Sequence, residues 1–290
     1  MGKRMLLNVW LAVALLVLVW VVWKEPGHTP KPPEVKLTAI SPDAINKIVI
    51  NSQSGTVTLT KQNSTWQITQ PVKINANTVR VDDLLELLQT ESLSRFSATG
   101  RDLSEYGLSK PKVRLQLNDT KIQFGGLTPV DQKRYVKVND TIHLISDRFM
   151  FELTGGAAAW VSRDLVPPGK QIATLQLPEM KLSRNDKGEW STTPSDKKIS
   201  ADAIQSVVKE WTDAQALRVT PYEKHAVQGE VVIGFSDQSQ NLKYQIIAHK
   251  PELILARPEI GMQFTVASEQ ADRLLSVKTK KQNSAVSKKK

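Results

Sequence analysis

From Leu6 to Trp23 the chain has one polar residue, Asn8, and no charge. At ~1.5 Å per residue such a run predicts a helix about 27 Å long, close to the depth of a bilayer's hydrocarbon core. Trp10 stands near one end and Trp20 and Trp23 at the other, where indoles favour the membrane interface. The run outlasts the ~7–15 apolar residues of a cleaved signal peptide. Val22-Trp23-Lys24-Glu25-Pro26 offers no small-x-small cleavage site. Residues 1–24 therefore read as a short start and an uncleaved, single-pass anchor that meets the lipid bilayer through Leu6 to Trp23. Lys3 and Arg4 predict an N-terminus in the cytoplasm and a body on the far side. Pro26, Pro30, Pro32 and Pro33 make 25–37 an extended, proline-rich spacer.

Beyond the spacer the apolar period changes. Ile45, Ile48 and Ile50, then Val57 and Leu59, then Trp66 and Ile68 form short runs broken by Ser54-Gly55 and Asn63-Ser64, the pattern of a β-meander. Val81, Leu84, Leu85 and Leu88 recur at helical spacing, with Asn75 or Asn77 as the cap. Val113, Leu115 and Leu117 alternate, as do Tyr135 to Val138 and, more loosely, Ile142 to Leu144, which predicts half-buried strands.

The chain then repeats itself. Trp66 recurs as Trp190, 124 positions on; Ile74 recurs as Ile199, 125 on; Ser146 recurs as Ser268, 122 on. Ile204, Val207, Val208 and Trp211 restate the helix after the cap candidate Ser200. A repeat this long is a domain pair rather than a solenoid. The expected fold class is α+β. An N-terminal transmembrane helix precedes two related lobes of mainly antiparallel strands with packed helices, 38–166 and 170–277. Trp66 and Trp190 are each expected to be buried against the long helix of their lobe.

The net charge of +10 invites a nucleic-acid reading, which the location of the charges removes. Residues 1–36 carry +3 and the six lysines of 278–290 carry +6, which leaves +1 for the body. A near-neutral body has no footprint for DNA or RNA. The lysine-rich 278–290 has little to bury and reads as a basic, disordered tail. The absence of cysteine excludes disulfides, thiolate metal sites and lipidation at cysteine.

Motifs of bond chemistry are sparse. Gly125-Gly126 and Gly155-Gly156 lack the lysine and helix context of a phosphate loop, and read as a turn and a helix breaker. His28, His143, His225 and His249 have no metal-ligand spacing. Asp82, Asp83 and Glu86 lie opposite Leu84, Leu85 and Leu88, on the solvated side of their helix. Ser195 to Lys198 and Ser206 to Lys209 match the Ser-x-x-Lys pattern of a cell-wall acylase, no more often than chance predicts. No residue is assigned a catalytic, cofactor-binding or metal-ligating role, and no cofactor is expected. Arg163, Asp164 and Val166-Pro167-Pro168-Gly169 fall between the lobes. They read as a linker with a surface salt bridge, or as one wall of a ligand cleft.

One stretch carries a family signature. Tyr106-Gly107-Leu108-Ser109-Lys110-Pro111 is followed by the alternating strand from Val113, then Phe124-Gly125-Gly126, then Tyr135-Val136-Lys137-Val138. With Trp66, Pro71 and the leucine-rich helix, this resembles the bacterial domain of unknown function 4340 over roughly 60–165. Fragments of the pattern extend to about 275, although the second half lacks the Tyr-Gly-Leu-x-x-Pro element. Physically the element reads as a turn: Gly107 permits positive φ, and Pro111 pushes Lys110 into extended backbone. The resemblance implies an accessory envelope protein in the bacterial inner membrane beside an ABC-2-type export system, as in gliding-motility auxiliary components. Its partner would be an ABC-2-type permease. The resemblance implies no catalytic residues. A periplasmic ligand-binding module is the alternative, and a cell-wall enzyme comes third.

Overall fold

The structure is a computed structural model that describes residues 2–24, 35–196 and 198–277. Most of the proline-rich spacer, the tail 278–290 and the side chains of Val21 to Lys24, Trp23 among them, lie outside the described residues. Helix α1 (Lys3–Lys24) is 22 residues long and begins without an acid in its first turn. Its side chains from Met5 to Trp20 are apolar on every side apart from Asn8, and all are exposed. Among the described residues it is the one helix long and apolar enough to cross a membrane.

From Leu37 onward the described residues form one compact α+β unit with two sheets. The first sheet uses β1 (Lys47–Ser52), β2 (Gly55–Gln62), β3 (Thr65–Gln70), β4 (Ile74–Asn75), β5 (Ser94–Ser97), β6 (Val113–Leu117), β7 (Thr120–Leu127), β8 (Lys133–Val138) and β9 (Thr141–Ser146). Helix α2 (Thr78–Leu85) runs into a 3-10 turn, Glu86–Gln89. Two short helices, α3 (Met150–Thr154) and α4 (Gly156–Trp160), close this half. The second half has β10 (Ile172–Gln176), β11 (Lys181–Arg184), β12 (Trp190–Thr193), helix α5 (Ala201–Asp213), β13 (Arg218–Pro221), β14 (Gly229–Phe235), β15 (Leu242–Ala248), β16 (Leu253–Arg257), β17 (Met262–Val266) and helix α6 (Ser268–Leu275).

The first sheet runs β4-β3-β2-β1-β6-β7-β8-β9-β5, and the second β12-β11-β10-β14-β15-β16-β17-β13. Apart from β4, the two are wound in one order. A three-strand meander is followed by a helix, a strand at the far edge, and a four-strand meander that fills the gap. Every neighbour pair is antiparallel, and within each meander short connections join consecutive strands.

Local sequence explains the elements. Asn77 Oδ1 accepts from the Arg80 amide at 3.2 Å and starts α2; Ser200 Oγ accepts from the Ala203 amide at 3.2 Å and starts α5. Val81, Leu84 and Leu85 turn inward from α2, and Ile204, Val207 and Trp211 from α5. Inward residues of both sheets and both helices belong to one continuous buried core. Trp66 lies within it at 1 % exposure, as expected. Trp190 is only half-buried, which corrects the expected equivalence. The cause is the missing strand: β3 is flanked by β4, whereas β12 is the sheet edge. Gly155-Gly156 breaks the helix between α3 and α4 with Gly156 at φ +66°. Gly125-Gly126 is not a turn; both residues sit inside β7.

Candidate functional site

The family-like motif and the glycine pair prove to be one contact. The segment Ala98 to Lys112 folds over the end of the first sheet. Tyr106 packs its ring 5.4 Å from Phe96 and 5.0 Å from Tyr135, the latter edge-on. Leu108 is buried with Ala98 and Ile142 beneath it. The Arg101 guanidinium covers Phe96 at 4.8 Å. The Gly126 amide donates to the Tyr106 carbonyl at 2.8 Å. So close an approach leaves no room for a side chain: a Cβ on Gly125 would stand 2.3 Å from the Tyr106 oxygen, and one on Gly107 2.7 Å from the Gly126 nitrogen. Gly107 also has φ +65°. The motif is architectural. Gly125→Ala is expected to cost about 1–3 kcal/mol by overpacking. Gly126→Ala, whose Cβ would meet the same oxygen at 3.6 Å, should stay within about 0.5 kcal/mol. Equal losses in a urea titration of the two variants would refute this contact.

The junction is a strap rather than a free linker. The Asn77 amide donates to the Trp160 carbonyl (2.7 Å) and the Ser162 amide to that of Asn75 (2.9 Å). On its other side the strap binds the second half: Leu165 N–H to Ala214 C=O (3.0 Å) and Ala216 N–H to Arg163 C=O (2.8 Å). Trp160, Val161, Leu165 and Val166 are buried. Tyr244 donates its hydroxyl to the Leu165 carbonyl at 2.6 Å. Burial holds that phenol protonated, far above its ordinary range.

A depression of about 200 Å³ opens beside the strap, lined by Thr65, Asn75, Asn77, Ser162, Arg163 and Gln215 among others. The expected Arg163–Asp164 ion pair is absent. Asp164 accepts instead from the Ser162 hydroxyl (2.7 Å) and the Gln215 amide (2.8 Å). Both carboxylate oxygens are thereby engaged, so Asp164 holds the strap's shape. Arg163 is exposed at the rim. A second depression of about 210 Å³ lies between α2 and α3, where Arg148 pairs with Glu86 at 3.1 Å and covers Phe149 at 4.7 Å. Asp83 and Glu86, read as a solvated helix face, line it; Asp82 is exposed.

Other sequence candidates remain apart. Ser206 and Lys209 are exposed on α5, and Lys209 is paired with Asp213. Ser195 and Lys198 lie in an exposed loop. Among the described residues no group of three His, Asp or Glu is placed to hold a metal. One buried pair escaped the sequence reading: His143 Nδ1 lies 2.9 Å from Ser92 Oγ. Ser92 Oγ also donates to the Ser94 carbonyl at 3.1 Å. With its proton on that carbonyl, the hydroxyl accepts from the Nδ1–H tautomer of the imidazole, the reverse of what a serine nucleophile needs from its base. Burial, and then the nearby Arg95, lowers the His143 pKa from 6.5 and keeps it neutral.

A histidine with a depressed folded pKa binds its proton more readily in the unfolded chain. Its contribution to stability is complete above about pH 6.5 and is lost as pH falls below that value toward the folded pKa. His143→Asn, whose amide retains a donor for Ser92, should remove that part of the acid sensitivity. An unchanged pH profile of the melting temperature would count against it.

The chain matches the family model described as domain of unknown function (DUF4340) over residues 66–229. The match starts at Trp66, includes α2, the Tyr-Gly-Leu element and the whole strap, and ends where β14 begins. It runs past the 60–165 carried by the main motifs and ends short of the 275 reached by fragments of the pattern. No curated protein and no solved structure matches the chain. More than half of the chain lies within the family model, so it belongs to the DUF4340 family.

Proposed function

We propose that this protein is a membrane-anchored accessory or scaffold component of the bacterial envelope, acting beside an ABC-2-type transport system. The observation that carries the proposal is α1, apolar on every side, ahead of a two-sheet body. An all-round apolar helix has no aqueous face to present to solvent. In this reading Leu6 to Trp23 spans the inner membrane, the N-terminus is cytoplasmic and the body is periplasmic. The ABC-2 link comes from the family resemblance.

The body is best read as an internal duplication, two related lobes that give two contact surfaces. The common strand order and the near-constant sequence offset support this. Anchoring confines both surfaces to the plane of the bilayer, which raises their effective concentration toward other membrane proteins.

The test is crosslinking in intact cells followed by purification. Recovery together with an ABC-2-type permease is expected. A protein without residues 1–24, exported in soluble form, should lose the phenotype. Recovery of the protein alone, with full activity of that soluble body, would end the scaffold reading. A ligand-binding role is the second reading, favoured by the depression at the strap, with Arg163 at its rim and hydrogen-bonding groups of Thr65, Asn75, Asn77, Ser162 and Gln215 lining it beside the Asp164 carboxylate. Loss of the phenotype in Arg163→Ala, with crosslinking unchanged, would select it.

A further inference from the structure

The body's net charge is near zero, but the charge is sorted by element. None of the nine strands of the first sheet contains an Asp or Glu, and together they hold eight cations. Three of these are turned toward the core side or its rim. Lys61 lies over Trp66, Arg134 is paired with Asp147, and Arg95 is the register partner of His143. The other five are Lys47 on β1, Arg114 on β6, Lys121 on β7, and Lys133 and Lys137 on β8. They alternate with buried residues and share the outer face.

The register joins these strands. Thr56, Asn51, Arg114, Gln123 and Lys137 are successive partners across β2, β1, β6, β7 and β8, and Val49, Gln116 and Lys121 form the next row. Beyond Lys137 the first row passes to Ile142 and Phe96, which lie under the 98–112 segment, so the open face ends at β8. None of the five cations forms an ion pair with a described residue. Among the nearby acids, Asp119, Asp131 and Asp140 stand in hairpin turns and Asp43 in the 3-10 turn Pro42–Ala44, while Asp102 and Glu105 lie on the 98–112 segment at the covered end of the face.

The second sheet supplies an internal comparison. Gln123 is partnered by Arg114, whereas Gln245, at the same place in the second winding, is partnered by Glu230. Glu230 is neutralised by Lys243 at 2.8 Å. The strands of the second sheet hold five cations and this one acid, and three of the five cations are ion-paired, Lys243 with Glu230, Arg218 with Glu252 and Arg257 with Glu259; the five on the first sheet's outer face have no such partner among the described residues.

We infer that the outer face of the first sheet docks on anionic lipid headgroups. This rests on the anchoring reading, because α1 in a bilayer keeps the body, which begins at Leu37, tethered by the 12 residues 25–36, at most about 40 Å of chain. The tether supplies effective concentration that a free protein would lack. Lysines and arginines near an anionic leaflet are each attracted, and the attraction needs no fixed geometry. Long cationic side chains spread over four adjacent strands, among hydroxyls and amides, suit a broad anionic plane. The register of an acidic peptide would need apolar anchors between the charges, and Val49 is the one aliphatic side chain where these two rows cross β2, β1, β6, β7 and β8.

The chain has no cysteine, so Gln123→Cys gives a single reactive thiol in the middle of the face. The full chain carrying an environment-sensitive label there is reconstituted into vesicles with headgroup spin-labelled lipid. Quenching is expected to rise at least about twofold when one-third of a zwitterionic bilayer is replaced by phosphatidylglycerol, and to revert at high salt. The increment should vanish in Arg114→Glu/Lys121→Glu/Lys137→Glu and be reduced in the corresponding glutamine triple. An unchanged melting temperature shows that the fold survives. A label at Gln245→Cys should not respond.

Equal quenching with and without anionic lipid overturns the inference. So does shielding of the label on the Gln123→Cys variant by soluble polyglutamate but not by phosphatidylglycerol, which assigns the face to an acidic protein partner. Vesicle flotation after an alkaline wash reports separately on the anchor. A chain that floats but shows no lipid-dependent quenching is anchored without docking; a chain that does not float fails the anchoring reading itself.

Discussion

Trp211→Ala is expected to remove about 5 kcal/mol of stability, enough to leave little of a typical domain's 5–15 kcal/mol. Trp211 is fully buried on the inner face of α5, with its ring 6.0 Å from that of Tyr244. Its indole N–H donates to the Leu274 carbonyl at 2.8 Å, near the end of α6. Truncation opens a cavity, at about 3–5 kcal/mol for a buried aromatic residue. It also orphans a helix-end carbonyl, at roughly 1 kcal/mol or more. Trp211→Phe keeps most of the volume and loses the hydrogen bond, so about 1–2 kcal/mol is expected. Urea titration of the full chain in micelles, followed by circular dichroism, measures both. A loss below about 2 kcal/mol for Trp211→Ala would mean that α5 and α6 are not joined through this side chain.

How well the sequence could be read varied with how local the cause was. Helical spacing around Val207 and Trp211, the caps at Asn77 and Ser200, and the alternation in β6 need only neighbours along the chain, and these were legible. The unequal burial of Trp66 and Trp190 was not. It depends on whether a further strand follows, and β4 is just two residues, Ile74 and Asn75. The strap shows the same limit. Pro167-Pro168-Gly169 looks like punctuation, but the residues before it, from Trp160 to Val166, are ordered by pairing with segments at 75–77 and 214–216. A signal existed: Trp160, Val161, Leu165 and Val166 enclose just three polar residues, too apolar for a solvated linker.

The same holds for the features tied to function. The Tyr-Gly-Leu element and Phe124-Gly125-Gly126 stand apart in sequence, and only the fold shows that one glycine pair exists to admit the other segment's backbone. The basic face was hidden by arithmetic, because the charges of the body nearly cancel in a sum. Sorting them by strand required strand boundaries and register. Once β8 is placed, its own alternation is informative: Val136 and Val138 face inward, so Arg134 must as well. An inward cation demands a buried anion.

That demand carries the last expectation. Arg134 donates from Nε and Nη2 to the two oxygens of Asp147 at 2.6 and 2.7 Å, and from Nη1 to the Gly125 carbonyl at 2.5 Å. The guanidinium is 7 % exposed and the carboxylate 22 %. One side chain thus ties β8 to the end of β9 and to the glycine strand that receives Tyr106. Arg134→Ala should cost about 3 kcal/mol, at the lower end for breaking a buried pair because Asp147 retains some water. It should also loosen the segment 98–112, since Gly125 loses the donor that fixes its carbonyl. Arg134→Lys keeps the charge and loses the two-pronged geometry, so most of the loss should persist. Arg134→Met/Asp147→Leu removes both charges while retaining apolar bulk, and should recover much of the stability. Urea titration gives the energies, and hydrogen exchange at Tyr106 to Leu108 reports the loop. If the double variant proved no more stable than Arg134→Ala, the loss would stem from packing around the arginine stem, and the unpaired Asp147 charge would not be its cause.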